Sequence, residues 1–231
     1  MTAPVKLRQR IVPAIAAIAV MAALAAVSWQ GYRAVLAQPV KRVVFAGDLD
    51  RLPQAELESL SQAVQKAERP ALEAVRDAAR KVSWVREASV RRRFPDAIEI
   101  RFEAHEALAR WNERGLVSRR GEVFAAEDAS ELPHFRGPEG GAAAMVAEYP
   151  AFVTAFAPLG AAVRELRLTA RGAWEVRLAN GLTVALGRGD WQARAQRFAA
   201  AWPALSEEAR ATRYADLRYP NGFALRGTHN R

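Results

Sequence analysis

The chain has no cysteine, which excludes disulfides and thiolate chemistry but does not decide the compartment. Histidine is scarce as well. His105, His134 and His229 are scattered, with no i,i+4 or other ligand spacing, so no metal site is expected. No G-x-S-x-G, Walker A or H-E-x-x-H motif occurs. "RGPEGG" (136–141) is glycine-rich but lacks the lysine and hydroxyl residue of a phosphate loop, and "GRGD" (187–190) reads as a strand-to-helix turn with Asp190 as helix cap. Carboxylates are plentiful, yet sequence spacing singles out no acid–base pair. The sequence nominates no catalytic residue and no cofactor.

Charge is missing in two places. Residues 1–39 contain no acidic side chain, and Ile11–Tyr32, "IVPAIAAIAVMAALAAVSWQGY", contains no charge of either sign. A helix over this run would be about 33 Å long, enough for a bilayer core of about 30 Å. Lys6, Arg8 and Arg10 precede it, and Trp29 and Tyr32 occupy interfacial positions. This pattern predicts a cytoplasmic tail (1–10), a transmembrane helix (11–32) and an outward C-terminal bulk. A signal peptide cut after Val35 and Ala37 is the competing reading, for which the apolar stretch is long. Of the net charge of +9, four lie in residues 1–39, and the other five are spread thinly over the remainder, which argues against nucleic acid as a partner.

Beyond Pro39 the pattern turns globular. "VKRVVFAG" (40–47) reads as a strand, Pro53 opens a helix with Leu57, Leu60 and Val64 on one face, and a second helix over about 70–81 aligns Leu72, Val75 and Ala79. "WVREASVRRRF" (84–94) alternates, with Val85, Glu87 and Ser89 against Arg86, Ala88 and Val90. A Pro95–Asp96 turn follows, then a strand (97–106) with Ile98, Ile100 and Phe102 facing one way. The order is β-α-α-β-β. Trp84 reads as core. The run Arg91–Arg93 reads as a solvated face or, beside a membrane, as a contact for anionic lipid.

The second unit, 106–231, opens with short strands in "ALARWN" (107–112), "GLVSRRGEVFA" (115–125) and "ELPHFRGPEG" (131–140). A helix over "AEYPAFVTAFAPLG" (147–160), a strand over 162–170, a hairpin over 173–187 and a helix from Asp190 follow. The hairpin permits a register test. A two-residue Asn180–Gly181 loop would split the large apolar residues between faces. A three-residue loop, Ala179–Asn180–Gly181 with Gly181 left-handed, puts Trp174, Val176, Leu178, Leu182, Val184 and Leu186 on one face, and is therefore predicted.

"SWVREASVRRRFPDAIEIRFEAHEALARWN" (83–112) resembles a POTRA domain of the FtsQ/DivIB family. "LPHFRGPEG", "ARGAW", "LGRGD", "RFAAAWPAL" and "YADLRYPNGFAL" follow in that family's order. The resemblance covers about 39–226. It implies an α+β protein with one N-terminal transmembrane helix, a POTRA domain (40–105) and a mainly antiparallel β domain with flanking helices (106–231). It further implies a non-enzymatic scaffold of the cell-division machinery, at the septum of the inner membrane, with its bulk in the periplasm. The implied partners are FtsB and FtsL, with FtsK, FtsW and FtsI, and septal peptidoglycan synthesis downstream. FtsB and FtsL would bind at Asp216, Leu217, Arg218, Tyr219, Asn221, Gly222, Phe223, Ala224 and Leu225, with Arg171 as an ion-pair partner. FtsK recruitment would involve Glu87, Val90 and Arg92. An envelope protein acting in secretion or outer-membrane assembly is the alternative, since POTRA domains also serve there; this chain shows one such module and no barrel pattern.

The last segment, "RYADLRYPNGFALRGTHNR" (213–231), alternates like a strand but contains Pro220, which cannot donate to a ladder. A Tyr219–Gly222 turn and one edge strand kinked at the proline both remain possible. The family resemblance favours the kinked strand.

Overall fold

The computed structural model describes the backbone of residues 5–36, 39–67, 70–113, 115–128 and 130–226, and the side chains of the first helix from Ala17 to Arg33. Residues 1–4, Ala37 and His229 lie outside the described residues, as do the side chains of Lys6, Arg8, Arg10 and Val35. The chain divides into two compact units, Met1–Ala104 and His105–Arg231.

In the first unit, helix α1 runs from Val5 to Leu36, overrunning the uncharged stretch at both ends. Its described side chains are all exposed. A helix apolar on every side and uncovered by protein is one that lipid can solvate. Trp29 and Tyr32 stand 6.1 Å apart, and the Arg33 guanidinium lies 5.3 Å from the Trp29 ring centre.

The remainder of this unit is β1 (Arg42–Gly47), α2 (Gln54–Lys66), α3 (Leu72–Ala79), β2 (Val85–Arg93) and β3 (Ala97–Ala104), the expected order. β3 is the central strand, parallel to β1 and antiparallel to β2. Ile98, Ile100 and Phe102 are fully buried, because β3 lies between two strands and the helices supply an apolar cover. Leu57, Leu60, Val64, Val75 and Ala79 form that cover. Glu56 of α2 accepts hydrogen bonds from the Ser83 amide (2.7 Å) and hydroxyl (2.9 Å), tying the helix to the entry of β2.

One expectation fails here. Val85 is buried whereas Glu87 and Ser89 are exposed. The pairing shifts between Val85–Ala104 and Glu87–Glu103, so Arg86 is an extra residue in a bulge that resets the alternation.

The second unit is a nine-stranded sheet with helices. Its elements are β4 (Ala107–Trp111), β5 (Leu116–Ser118), β6 (Val123–Phe124), β7 (His134–Arg136), α4 (Ala142–Phe156), β8 (Val163–Leu168), β9 (Trp174–Leu178), β10 (Thr183–Gly187), α5 (Trp191–Ala201), α6 (Glu207–Arg210), β11 (Tyr214–Asp216) and β12 (Ala224–Arg226). The strand order is β12-β11-β10-β9-β8-β7-β4-β5-β6, and five of the eight junctions are antiparallel.

Register explains the core. The pairings align Trp111, Phe135, Leu166, Val176, Val184, Ala215 and Leu225 in one row across seven strands. The neighbouring row on the opposite face is Arg110, His134, Glu165, Arg177, Thr183, Tyr214 and Arg226. The first row packs with α4 and α5 in one core, where Phe152 stacks on Trp191 at 3.7 Å between ring centres. The stretch Ala142–Leu159 is as long and apolar as a membrane span, but its Met145, Phe152 and Phe156 are fully buried, so it is a core helix. It starts five residues earlier than its sequence pattern suggests and continues through Pro150.

The hairpin register is as predicted from the loop to Ala185–Glu175, beyond which a bulge at Leu186 shifts it and Trp174 pairs with Gly187. Thr183 pairs with Arg177 and Val184 with Val176, the Leu178 amide donates to the Leu182 carbonyl (2.9 Å), and Gly181 has φ +88°. Val176, Leu178, Leu182, Val184 and Leu186 are all buried. Asp190 caps α5 through the Ala193 amide (3.1 Å).

Candidate partner-binding surfaces

The last segment is a hairpin, and the single kinked strand is corrected. Ala215 pairs antiparallel with Leu225, and Asp216 with Ala224, so the chain reverses between them with Pro220 in the turn. Reversal lets Leu225 join the apolar row beside Ala215, which an extended chain through Pro220 could not do. β11 becomes an interior strand, parallel to β10, and β12 becomes the sheet edge.

Two hydrogen-bond sets orient this edge. The Arg213 carbonyl and the Leu217 amide bond to β10, through the Thr183 amide (2.9 Å) and the Ala185 carbonyl (2.8 Å). Main-chain groups alternate in direction along a strand, so those of Tyr214 and Asp216 face β12. The Thr212 hydroxyl donates to the Arg226 carbonyl at 2.6 Å, which fixes Arg226 as inward-facing. By the same alternation the N–H and C=O of Leu225 point away from the sheet.

The nominated residues fall into two groups. Tyr219 (54 % exposed), Arg218, Asn221, Gly222 and Ala224 are accessible. Leu217 and Asp216 are buried, while Phe223 and Leu225 are half-buried against the core. Phe223 meets Phe198 of α5 edge-on at 5.0 Å, and Phe198 meets Trp202 at 5.4 Å. Phe223 therefore fastens the hairpin to α5. Arg171 is exposed in the β8–β9 turn. β8 and β11 run in the same direction, so this turn lies at the same end of the sheet as the 217–223 loop.

Arg218 is held by a fork. Its Nε donates to Asp216 Oδ1 (2.8 Å) and its Nη2 to Oδ2 (2.6 Å), while its amide donates to Oδ1 (3.1 Å). These bonds hold the Asp216 carboxyl below the usual carboxylate range despite its burial, and they raise Arg218 further. A lowered folded-state pKa means the stabilisation is complete above the ordinary aspartate value of about 3.9 and lost as pH falls through the folded value. Urea midpoints should thus fall more between about pH 7 and about pH 3 for the natural chain than for Asp216→Asn; equal pH dependence would refute the clamp.

Sequence reasoning missed two supports of this site. Thr212 carries no sequence signal. Gly187 was visible in "GRGD", but only as a turn; it has φ +71°, and a Cβ there would lie 2.9 Å from Arg218 Cγ. Gly187→Ala should cost about 1–2 kcal/mol from the left-handed backbone alone and displace Arg218, measurable as a lowered midpoint and a shifted Arg218 guanidinium NMR signal.

In the first unit, Glu87, Val90 and Arg92 all lie on β2, one of the two edge strands of its sheet. They do not share a face. Val90 and Arg92 align with Ile100 and Ile98 on the helix side, while Glu87 pairs with Glu103 on the open side. A cleft of about 240 Å³ between α3 and β2 is lined by Glu87 and Val90 together with Arg76 and Arg80.

Neither surface brings together a nucleophile and a base. A groove of about 760 Å³ between α4 and α5 is lined by residues such as Pro150, Ala151, Thr154, Gln192 and Gln196, without a titratable side chain. Among the described residues no three His, Asp or Glu side chains are grouped to hold a metal ion.

Comparison with known proteins agrees with this architecture. The family model for the POTRA domain, FtsQ-type, matches residues 38–103, and that for Cell division protein FtsQ/DivIB, C-terminal, matches 109–218. The chain is 36 % identical to the Cell division protein FtsQ of Bordetella pertussis over 244 residues, covering 92 % of this chain and 87 % of that protein. It is 44 % identical to the Burkholderia pseudomallei protein of the same name over 163 residues (67 % and 65 % of the two chains). To that of Neisseria gonorrhoeae it is 37 % identical over 192 residues (81 % and 79 %).

Proposed function

Because this chain belongs to the FtsQ/DivIB family of cell-division proteins, we propose that it is a non-enzymatic scaffold of the division machinery that binds FtsB and FtsL at the β12 edge. The mode is β-augmentation, in which a partner strand pairs with an exposed sheet edge: main-chain hydrogen bonds supply affinity and alternate side chains supply selection. The observation that carries this reading is the outward-facing N–H and C=O of Leu225 on the terminal strand of a nine-stranded sheet. Tyr219 and Arg218 flank it, residue types favoured at interfaces. Helix α1 holds the protein in the inner membrane at the septum, with its N-terminus cytoplasmic and both folded units periplasmic. The scaffold thereby links early division proteins to FtsW, FtsI and septal peptidoglycan synthesis.

The second edge, β2, supports FtsK recruitment on a narrower basis. Glu87 and Val90 both border its cleft with α3, so a partner strand on β2 would reach both residues although their faces differ. The decisive experiment for the main proposal is FtsB binding by Leu225→Pro, for which loss of binding in a folded protein is expected.

A further inference from the structure

We propose that the end of the POTRA sheet where β1 begins is a lipid-docking surface, with Phe94 and the basic side chains of Lys41, Arg42, Arg91 and Arg93 set against anionic phospholipid headgroups. This inference rests on the reading that α1 spans the bilayer.

Three observations converge on it. The first is position. Leu36 ends α1, and Lys41 follows five residues later, a distance of at most about 18 Å for an extended chain. The β2–β3 hairpin tip is fastened to this same point. The Asp96 carbonyl accepts from the Lys41 amide (2.8 Å) and the Arg42 amide (3.3 Å), and its carboxylate pairs with Arg42 at 3.1 Å. Whatever the hairpin tip carries is therefore tethered close to the end of the membrane anchor.

The second is what the tip carries. Phe94 is 56 % exposed, a large aromatic side chain at the end of a run of three arginines. Water is a poor surrounding for such a ring, whereas the boundary between headgroups and acyl chains suits it.

The third is the charge gradient along the open face of the sheet. Its rows, read from the anchor end, are Arg42–Ala97–Arg93, Val44–Glu99–Arg91 and Ala46–Arg101–Ser89. The next row is Glu103 opposite Glu87, with Asp48 beside Ala104. The basic excess thus lies at the end joined to the anchor, whereas at the far end Glu103 pairs with Arg86 (2.6 Å) and Glu87 with Arg80 (3.8 Å), which leaves that end close to neutral. Within the basic end Glu99 is nearly buried, 6 % exposed, and is shared by Arg91 (2.8 Å), Arg93 (3.6 Å) and Arg101 (4.0 Å). One buried carboxylate cannot neutralise three guanidinium groups that remain 72, 65 and 61 % exposed. Anionic headgroups complement the excess at distances within a Debye length of about 8 Å. Contact at this end would orient the domain with the Glu87–Glu103 end away from the bilayer.

The absence of cysteine makes the test direct. Full-length protein carrying Phe94→Cys or, separately, Ala26→Cys is labelled with a nitroxide and placed in lipid nanodiscs of phosphatidylcholine with or without phosphatidylglycerol. Collisions with oxygen, which prefers lipid, are compared with those of a water-soluble nickel chelate. The expected result is a lipid-like signal at 94 in phosphatidylglycerol discs that turns aqueous in phosphatidylcholine alone. The signal should also turn aqueous at about 1 M salt, where the Debye length is about 3 Å, and on adding Arg91→Gln and Arg93→Gln to the labelled chain. The salt arm keeps the test informative should those substitutions disturb the fold. An aqueous signal at 94 in phosphatidylglycerol discs while position 26 is in lipid overturns the docking surface alone. An aqueous signal at 26 overturns the spanning reading and the docking surface with it.

Discussion

Phe223→Glu is expected to unfold the C-terminal hairpin rather than simply weaken a contact surface. The Phe223 ring closes an aromatic chain with Phe198 and Trp202 that joins β12 to α5. Removing a packed phenylalanine and placing a carboxylate against those rings should cost about 3 kcal/mol. The loss should register as a lower urea midpoint and as faster amide exchange across β11 and β12. Tyr219→Ala, by contrast, touches an exposed side chain, and should leave stability within about 0.5 kcal/mol. An unchanged midpoint for Phe223→Glu would show that the hairpin is not held through Phe223. The practical consequence is that loss of partner binding in this variant says nothing about direct contact, because the edge itself would be gone.

Leu225→Pro separates the edge from the fold. Proline removes one N–H and is tolerated on edge strands where that group faces outward. The outward amide of Leu225 is not used in the β11–β12 ladder, so the ladder should persist, and Leu225→Ala, which loses the same core packing but keeps the amide, is the control for the lost side chain. A partner strand would lose one main-chain hydrogen bond and meet the proline ring at the pairing surface. The combined cost of about 2–3 kcal/mol corresponds to a roughly thirty- to hundred-and-fifty-fold weaker Kd. Titration of the periplasmic part of FtsB against the natural and variant chains measures it, with circular dichroism to check the fold. Equal affinity in a folded variant would remove β12 as the docking edge.

Most elements were legible in the sequence because their signals are local. Leu57, Leu60 and Val64 repeat at helical spacing, Ile98, Ile100 and Phe102 at strand spacing, and each set is buried on one face. The β9–β10 register next to the loop could also be read, because one apolar face and one glycine permit a single solution there, but the bulge at Leu186 that pairs Trp174 with Gly187 could not. The Arg86 bulge was not legible, since an inserted residue preserves local alternation on either side and is visible only against the partner strand.

The candidate site divides in the same way. Exposed Tyr219 and Arg218 could be named from the family resemblance, but the separate roles of Phe223, which packs on α5, and Leu225, which turns its backbone outward, could not. A period-2 pattern interrupted by proline is the same for a kinked strand and for a hairpin. By itself the sequence determined the elements, the uncharged helix and the hairpin loop at Gly181, because these depend on neighbours within a few residues. Only the tertiary structure decided which strand forms the edge. Burying Leu225 in the row of Ala215 and Val184 requires strands distant in sequence to be aligned first, and that alignment turns the chain at Pro220.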